Sequence, residues 1–106
     1  MGEKNIIVVG LSDCKPCLDL QEQLKKEDVA KQLSEKYGVD ASKVRVLYAD
    51  ADDASGDEAR NICYSVDQFS SPQLIIEEVD EGKRRLCTLD DSLEKKKCAE
   101  FKSLPM

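Results

Sequence analysis

Residues 6–17 read Ile6-Ile7-Val8-Val9-Gly10-Leu11-Ser12-Asp13-Cys14-Lys15-Pro16-Cys17, and this stretch decides the fold. A β-branched run that ends at a glycine is the mark of a strand buried on both faces in a parallel or mixed sheet. After Leu11 a helical pattern opens at Cys14, with Pro16 in the first turn, where its missing N–H costs nothing. Ser12 or Asp13 is expected to cap that helix. The cysteine pair thus stands at a strand-to-helix junction.

Working outward, Cys17, Leu20 and Leu24 recur at helical spacing, and Val29, Ala30, Leu33 and Tyr37 carry the apolar stripe to Gly38. The stripe slips in phase near Glu27-Asp28, where Asp28 is a good N-cap, so one bent helix or two both fit. Residues 44–48 set Val44, Val46 and Tyr48 on one face and Arg45 and Leu47 on the other, a second strand. Ser55 is expected to cap a short helix over residues 57–64. Residues 74–79 read as a third strand, and Asp80-Glu81-Gly82-Lys83 as the turn of a hairpin into residues 84–89. Asp91 followed by Glu94 resembles a capping box for a last helix that buries Leu93, Cys98 and Phe101. The expected order is β-α-β-α-β-β-α: a parallel βαβ unit, then a hairpin and a covering helix, giving an α/β domain around a central mixed four-stranded sheet.

A chain of 106 residues suits one domain over residues 1–106. The net charge is −6 with both signs interspersed, so nucleic acid is not an expected partner. Lys95-Lys96-Lys97 and Glu77-Glu78 read as solvated faces. Apolar blocks are far shorter than the roughly 20 residues that span a bilayer, so no membrane is expected. Met1-Gly2-Glu3-Lys4-Asn5 leads into the first strand without the pattern of a signal peptide, which points to the cytoplasm. The absence of histidine removes Cys-His nucleophile pairs, Cys-His zinc sites and imidazole chemistry. A reducing compartment argues against a disulfide framework among the five cysteines, and Cys63, Cys87 and Cys98 read as small buried apolar side chains.

Chemistry therefore rests on Cys14-Lys15-Pro16-Cys17. Unpaired amide donors and the helix dipole favour a thiolate at a helix N-terminus, where such cysteines titrate at roughly 3.5–7.5 rather than about 8.5. Cys14 is the expected nucleophile, Lys15 adds positive charge, Pro16 stiffens the turn, and Cys17, one turn in and more covered, resolves. The same spacing also supplies half of many zinc or iron–sulfur sites, or an inert structural pair. A metal needs further ligands, and the other cysteines are isolated along the chain.

Through Cys14-Lys15-Pro16-Cys17, the element order, and Ser71-Pro72 directly before the third strand, the chain resembles the thioredoxin and glutaredoxin superfamily. The resemblance implies a thioredoxin-like fold in which Pro72 is a cis-proline facing the cysteine pair and the backbone of Ser71 docks the partner. The residues alone allow either isomer for a proline that opens a strand. In glutaredoxins a glycine pair before the last helix holds glutathione. Here Cys87-Thr88-Leu89 precede Asp90-Asp91, so glutathione binding is doubtful. The implied activity is that of a monomeric dithiol carrier without a bound cofactor, which reduces protein disulfides and is regenerated by an upstream reductase. The alternatives are a thioredoxin-fold module that holds a metal ion or an iron–sulfur cluster, and a redox-inert adaptor that docks partners through the Pro72 surface.

Overall fold

The β-branched run forms the centre of a sheet. In the computed structural model, which describes residues 3–40, 43–68, 72–90 and 92–104, Glu3–Gly10 is strand β1, and Ile6, Ile7 and Val8 are fully buried. They are covered because strands flank β1 on both sides and helices lie over both faces. The elements that follow are α1 (Lys15–Leu24), α2 (Glu27–Tyr37), β2 (Val44–Tyr48), α3 (Ala54–Val66), β3 (Gln73–Asp80), β4 (Lys83–Leu89) and β5 (Lys95–Glu100). Together they make a mixed α/β fold with a five-stranded sheet in the order β2-β1-β3-β4-β5. Only β1 and β2 run parallel.

The long helical stretch resolves into two helices. Lys26, in extended conformation, is the N-cap of α2, and Asp28 joins Glu27 in the first turn, where both carboxylates face the positive end of the helix dipole. Gly38 ends α2 at φ 68°, the left-handed conformation glycine adopts without penalty. The third helix is longer than residues 57–64, and its cap is Asp53 rather than Ser55: the carboxylate accepts from the amides of Ser55 and Gly56. Asp53→Ala should therefore destabilise the fold, read as a lower urea midpoint. Gly56 sits where the helix start meets the loop after β2. A Cβ there would lie 2.0 Å from the carbonyl oxygen of Ala51, so no larger residue fits without moving that backbone.

Strand alternation divides the core in two. On one face Ile7, Val9, Leu47, Ile75 and Leu86 pack against Ala59, Ile62, Cys63 and Val66 of α3. On the other, Ile6, Val8, Leu74, Ile76 and Leu89 pack against Leu24 of α1 and Leu33 of α2. The β3–β4 hairpin turns through Glu81 and Gly82, both at positive φ, the primed geometry that suits the twist of paired strands.

The expected last helix is instead a strand, and the sheet gains a fifth member. One carboxylate oxygen of Asp90 accepts from the amides of Ser92 and Glu94, and the Asp90 amide donates to the Glu94 carbonyl, which closes a tight turn. Leu93 takes φ 62°, a conformation that breaks a helix, and the chain returns antiparallel to β4. Asp91, the expected cap, lies outside the described residues. The exposed lysines 95–97 belong to β5, at the end of the strand order, where charge discourages further pairing. Antiparallel register sets Cys98 opposite Cys87, and the two form a disulfide, which corrects their reading as unpaired buried thiols. Cys63 is the free cysteine among the described residues; it is buried, and burial pushes its thiol pKa up.

Glu77 is a second correction. It is not part of a solvated tract but is 3% exposed on the α3 side of the sheet. Arg84 Nε donates to its carboxylate over 2.6 Å and Asn5 donates over 3.1 Å. The Arg84 guanidinium also reaches Glu58 at 2.8 Å and stacks over the Phe101 ring at 4.2 Å, while Arg45 pairs with Glu58 at 2.8 Å. Burial pushes the Glu58 carboxyl up, but hydrogen bonds and charge from Arg45 and Arg84 outweigh it and hold the pKa below the ordinary value. A carboxyl depressed in the folded state stabilises the fold above its unfolded pKa, and that contribution is lost as pH falls through the lower folded value. The urea midpoint should thus drop as pH falls below about 4.5, with a shallower drop in Glu58→Gln.

Candidate functional site: the Cys14–Cys17 pair

The first strand delivers the chain to one end of the sheet, and four residues separate the end of β1 from the start of α1. The N-cap of α1 is Cys14 itself, not Ser12 or Asp13: its backbone is extended and its sulfur accepts from the Cys17 amide at 3.2 Å. Lys15 and Pro16 fill the first two helical positions, where proline's missing N–H has no intrahelical partner to lose. Cys17 lies one turn in and is disulfide-bonded to Cys14, with the Cα atoms 5.3 Å apart. The two sulfurs have unequal access, since Cys17 is 1% exposed and Cys14 is half-buried. An incoming sulfur therefore reaches Cys14 first.

The loop before Cys14 is tied down from the neighbouring strand. Both the amide and the hydroxyl of Ser12 donate to the Asp50 carboxylate, at 3.1 and 2.6 Å, and the Ala49 amide donates to the Gly10 carbonyl at 2.9 Å. The bond from the Ser12 hydroxyl holds the Asp50 carboxyl below its usual range. Asp50 thus tethers the loop that leads to Cys14, a contact that no local pattern in the sequence announces. Asp13, adjacent to the pair, is exposed.

Antiparallel pairing of Val9 with Gln73 brings Pro72, at the entrance to β3, beside the end of β1. Pro72 and Pro16 line one open cleft of about 440 Å³, whose other walls include Asp19 and Leu20 of α1 and Asp90 and Leu93 of the β4–β5 turn. Pro16 of the CKPC turn and Pro72 thus share a cleft, whose lining does not include Cys14 or Cys17. Ser71, and with it the peptide bond preceding Pro72, lies outside the described residues. Leu11 and Leu18, 40% and 54% exposed, flank Cys14 in sequence and add apolar surface that periodicity alone assigned no role.

Among the described residues, no group of three or more His, Cys, Asp or Glu side chains is placed to hold a metal ion. Among the same residues, no helix is long and apolar enough to cross a membrane. No family model matches the chain, and neither the curated proteins nor the solved structures include a significant match to it.

Proposed function

We propose that the protein is a thiol–disulfide oxidoreductase of thioredoxin-like fold, a cytoplasmic monomer that carries two electrons between an upstream reductase and protein disulfides without a bound cofactor. The observation that carries this reading is the Cys14–Cys17 disulfide at the start of α1, with Cys14 the accessible sulfur and Cys17 covered. Support comes from the order β1-α1-α2-β2-α3-β3-β4, which agrees with the expected β-α-β-α-β-β succession once the first helical stretch is counted as two helices, and from Pro72 and Pro16 lining one cleft.

In the reduced protein, the Cys14 thiolate attacks one sulfur of a partner disulfide. The partner bond breaks, its other sulfur leaves as a thiolate and takes up a proton, and Cys14 is left in a mixed disulfide. Cys17, having lost its proton, then attacks Cys14 Sγ. The Cys14–Cys17 bond forms and the second partner thiol departs, so the partner gains two electrons and the protein loses two. The N-terminal dipole of α1 and the Cys17 amide stabilise the Cys14 thiolate, and the exposed Lys15 adds positive charge beside it. Glutathione is not the expected partner.

Cys17→Ser tests the sequence of steps. The variant should complete the first attack and stop, accumulating a covalent adduct of Cys14 with a disulfide substrate that mass spectrometry detects and a small dithiol releases. Absence of the adduct would count against the assigned roles.

A further inference from the structure

We propose that Cys87–Cys98 is a second thiol–disulfide exchange site, entered at Cys98 by an external protein dithiol, and that its opening loosens one wall of the cleft beside Pro16 and Pro72. The bond joins β4 to β5, the last strand in the sheet order. Cys87 is fully buried whereas Cys98 is half-buried, so a thiolate arriving from solvent meets Cys98 Sγ. The exposed Lys95, Lys96 and Lys97 directly precede Cys98, and Lys95 and Lys97 are paired with Glu78 and Asp67.

The chemistry closes without a further co-reactant. The incoming thiolate bonds to Cys98 Sγ, the Cys87–Cys98 bond breaks, and Cys87 Sγ keeps the electron pair and takes a proton. The second thiol of the incoming dithiol, after losing its proton, attacks its own sulfur in the mixed disulfide and releases Cys98 as a thiolate, which is then protonated. Cys87 and Cys98 gain two electrons and the dithiol becomes a disulfide.

The fold gives this exchange a local consequence. Beyond Cys98 the chain is anchored independently: the Phe101 amide donates to the Arg84 carbonyl at 2.8 Å, the Lys102 amide to the Ser65 hydroxyl at 2.7 Å, and the Leu104 amide to Asn61 at 2.9 Å. Before Cys98 the ladder is irregular, because the β4 partner steps from Lys97 to Lys95 and leaves Lys96 unpaired in the register. That weaker half leads into the turn whose Asp90 and Leu93 line the cleft. With the disulfide broken, the first half of β5 is held by this irregular pairing, by the Thr88 hydroxyl donating to the Lys97 carbonyl at 3.3 Å, by ion pairs of Lys95 with Glu78 and Lys97 with Asp67, and, at the turn, by contacts of Lys36 and Tyr37 and the packing of Leu93. It becomes the most easily opened segment next to the cleft.

The test does not depend on the Cys14–Cys17 reading, because it uses the full chain carrying Cys14→Ser and Cys17→Ser. That protein is treated with dithiothreitol and, separately, with a reduced thioredoxin, in the absence of denaturant. Alkylation without denaturant and mass spectrometry should show Cys98 labelled while Cys63 stays unlabelled, and a second, distinguishable label added after unfolding should show Cys87 reduced along with it. Amide exchange over residues 92–97 should rise about tenfold or more while β1 and β3 keep their protection. Adding Cys87→Ala and Cys98→Ala should reproduce the faster exchange without reductant. The proposal is overturned if labelling of Cys98 needs denaturant, if exchange over 92–97 is unchanged after reduction, or if β1 and β3 lose protection as well, since the bond then acts as a staple for the whole domain.

Discussion

Cys14→Ser should abolish reduction of insulin disulfides, taking the rate to the uncatalysed background, a loss of about a thousandfold or more. A serine hydroxyl at the same cap is not ionised near neutral pH, so neither the dipole of α1 nor the Cys17 amide can convert it into a nucleophile comparable to a thiolate. Cys17 does not substitute, because it is buried and one turn in. Cys63 does not either, since its thiol is buried in the α3 core with its pKa raised. The variant should stay folded, because a hydroxyl also accepts from the Cys17 amide and serine is among the favoured N-caps. Residual insulin reduction above background in folded Cys14→Ser protein that also carries Cys87→Ala and Cys98→Ala would defeat the assignment of the nucleophile.

Arg84→Ala should lower stability by about 3–5 kcal/mol, a large part of what a domain of this size possesses. The substitution leaves the Glu77 carboxylate 3% exposed with Asn5 as its remaining hydrogen-bond donor in this network, and it removes the cation stacked over Phe101 as well as one of two partners of Glu58. The cost comes chiefly from an uncompensated buried charge. The double variant Arg84→Met/Glu77→Leu, which removes both charges and keeps apolar volume, should therefore recover most of the loss. Urea unfolding of the two proteins decides the matter, and equal destabilisation of both would show that packing rather than charge pairing is the dominant effect.

What was legible in the sequence is the part governed by local rules. The run 6–9 announces a doubly covered strand, Gly38 the end of a helix, and Glu81-Gly82 a tight hairpin, because each depends on residues within a few positions of one another. The cysteine pair at the helix start is legible for the same reason. The strand β5 is not. Leu93, Cys98 and Phe101 fit a helical stripe, but pairing with β4, together with the Asp90 turn and the positive φ of Leu93, outweighs local propensity. Once β5 is missed, the Cys87–Cys98 pairing is invisible, since the bond follows from register. Glu77 was misread because alternation along β3 turns it inward onto Arg84 of the neighbouring strand, a non-local partner. The Ser12–Asp50 tether escaped for the same reason: it joins the CKPC loop to a residue 38 positions away, across the parallel β1–β2 pair.

A thermodynamic redox titration of the purified protein in thiol buffers, with alkylation and mass spectrometry resolving Cys14 and Cys17 from the other cysteines, tests the central claim most directly. The proposed function predicts a reversible two-electron couple at Cys14–Cys17, lying below about −230 mV. Failure of these two residues to form and lose their disulfide reversibly across the buffer range would contradict it.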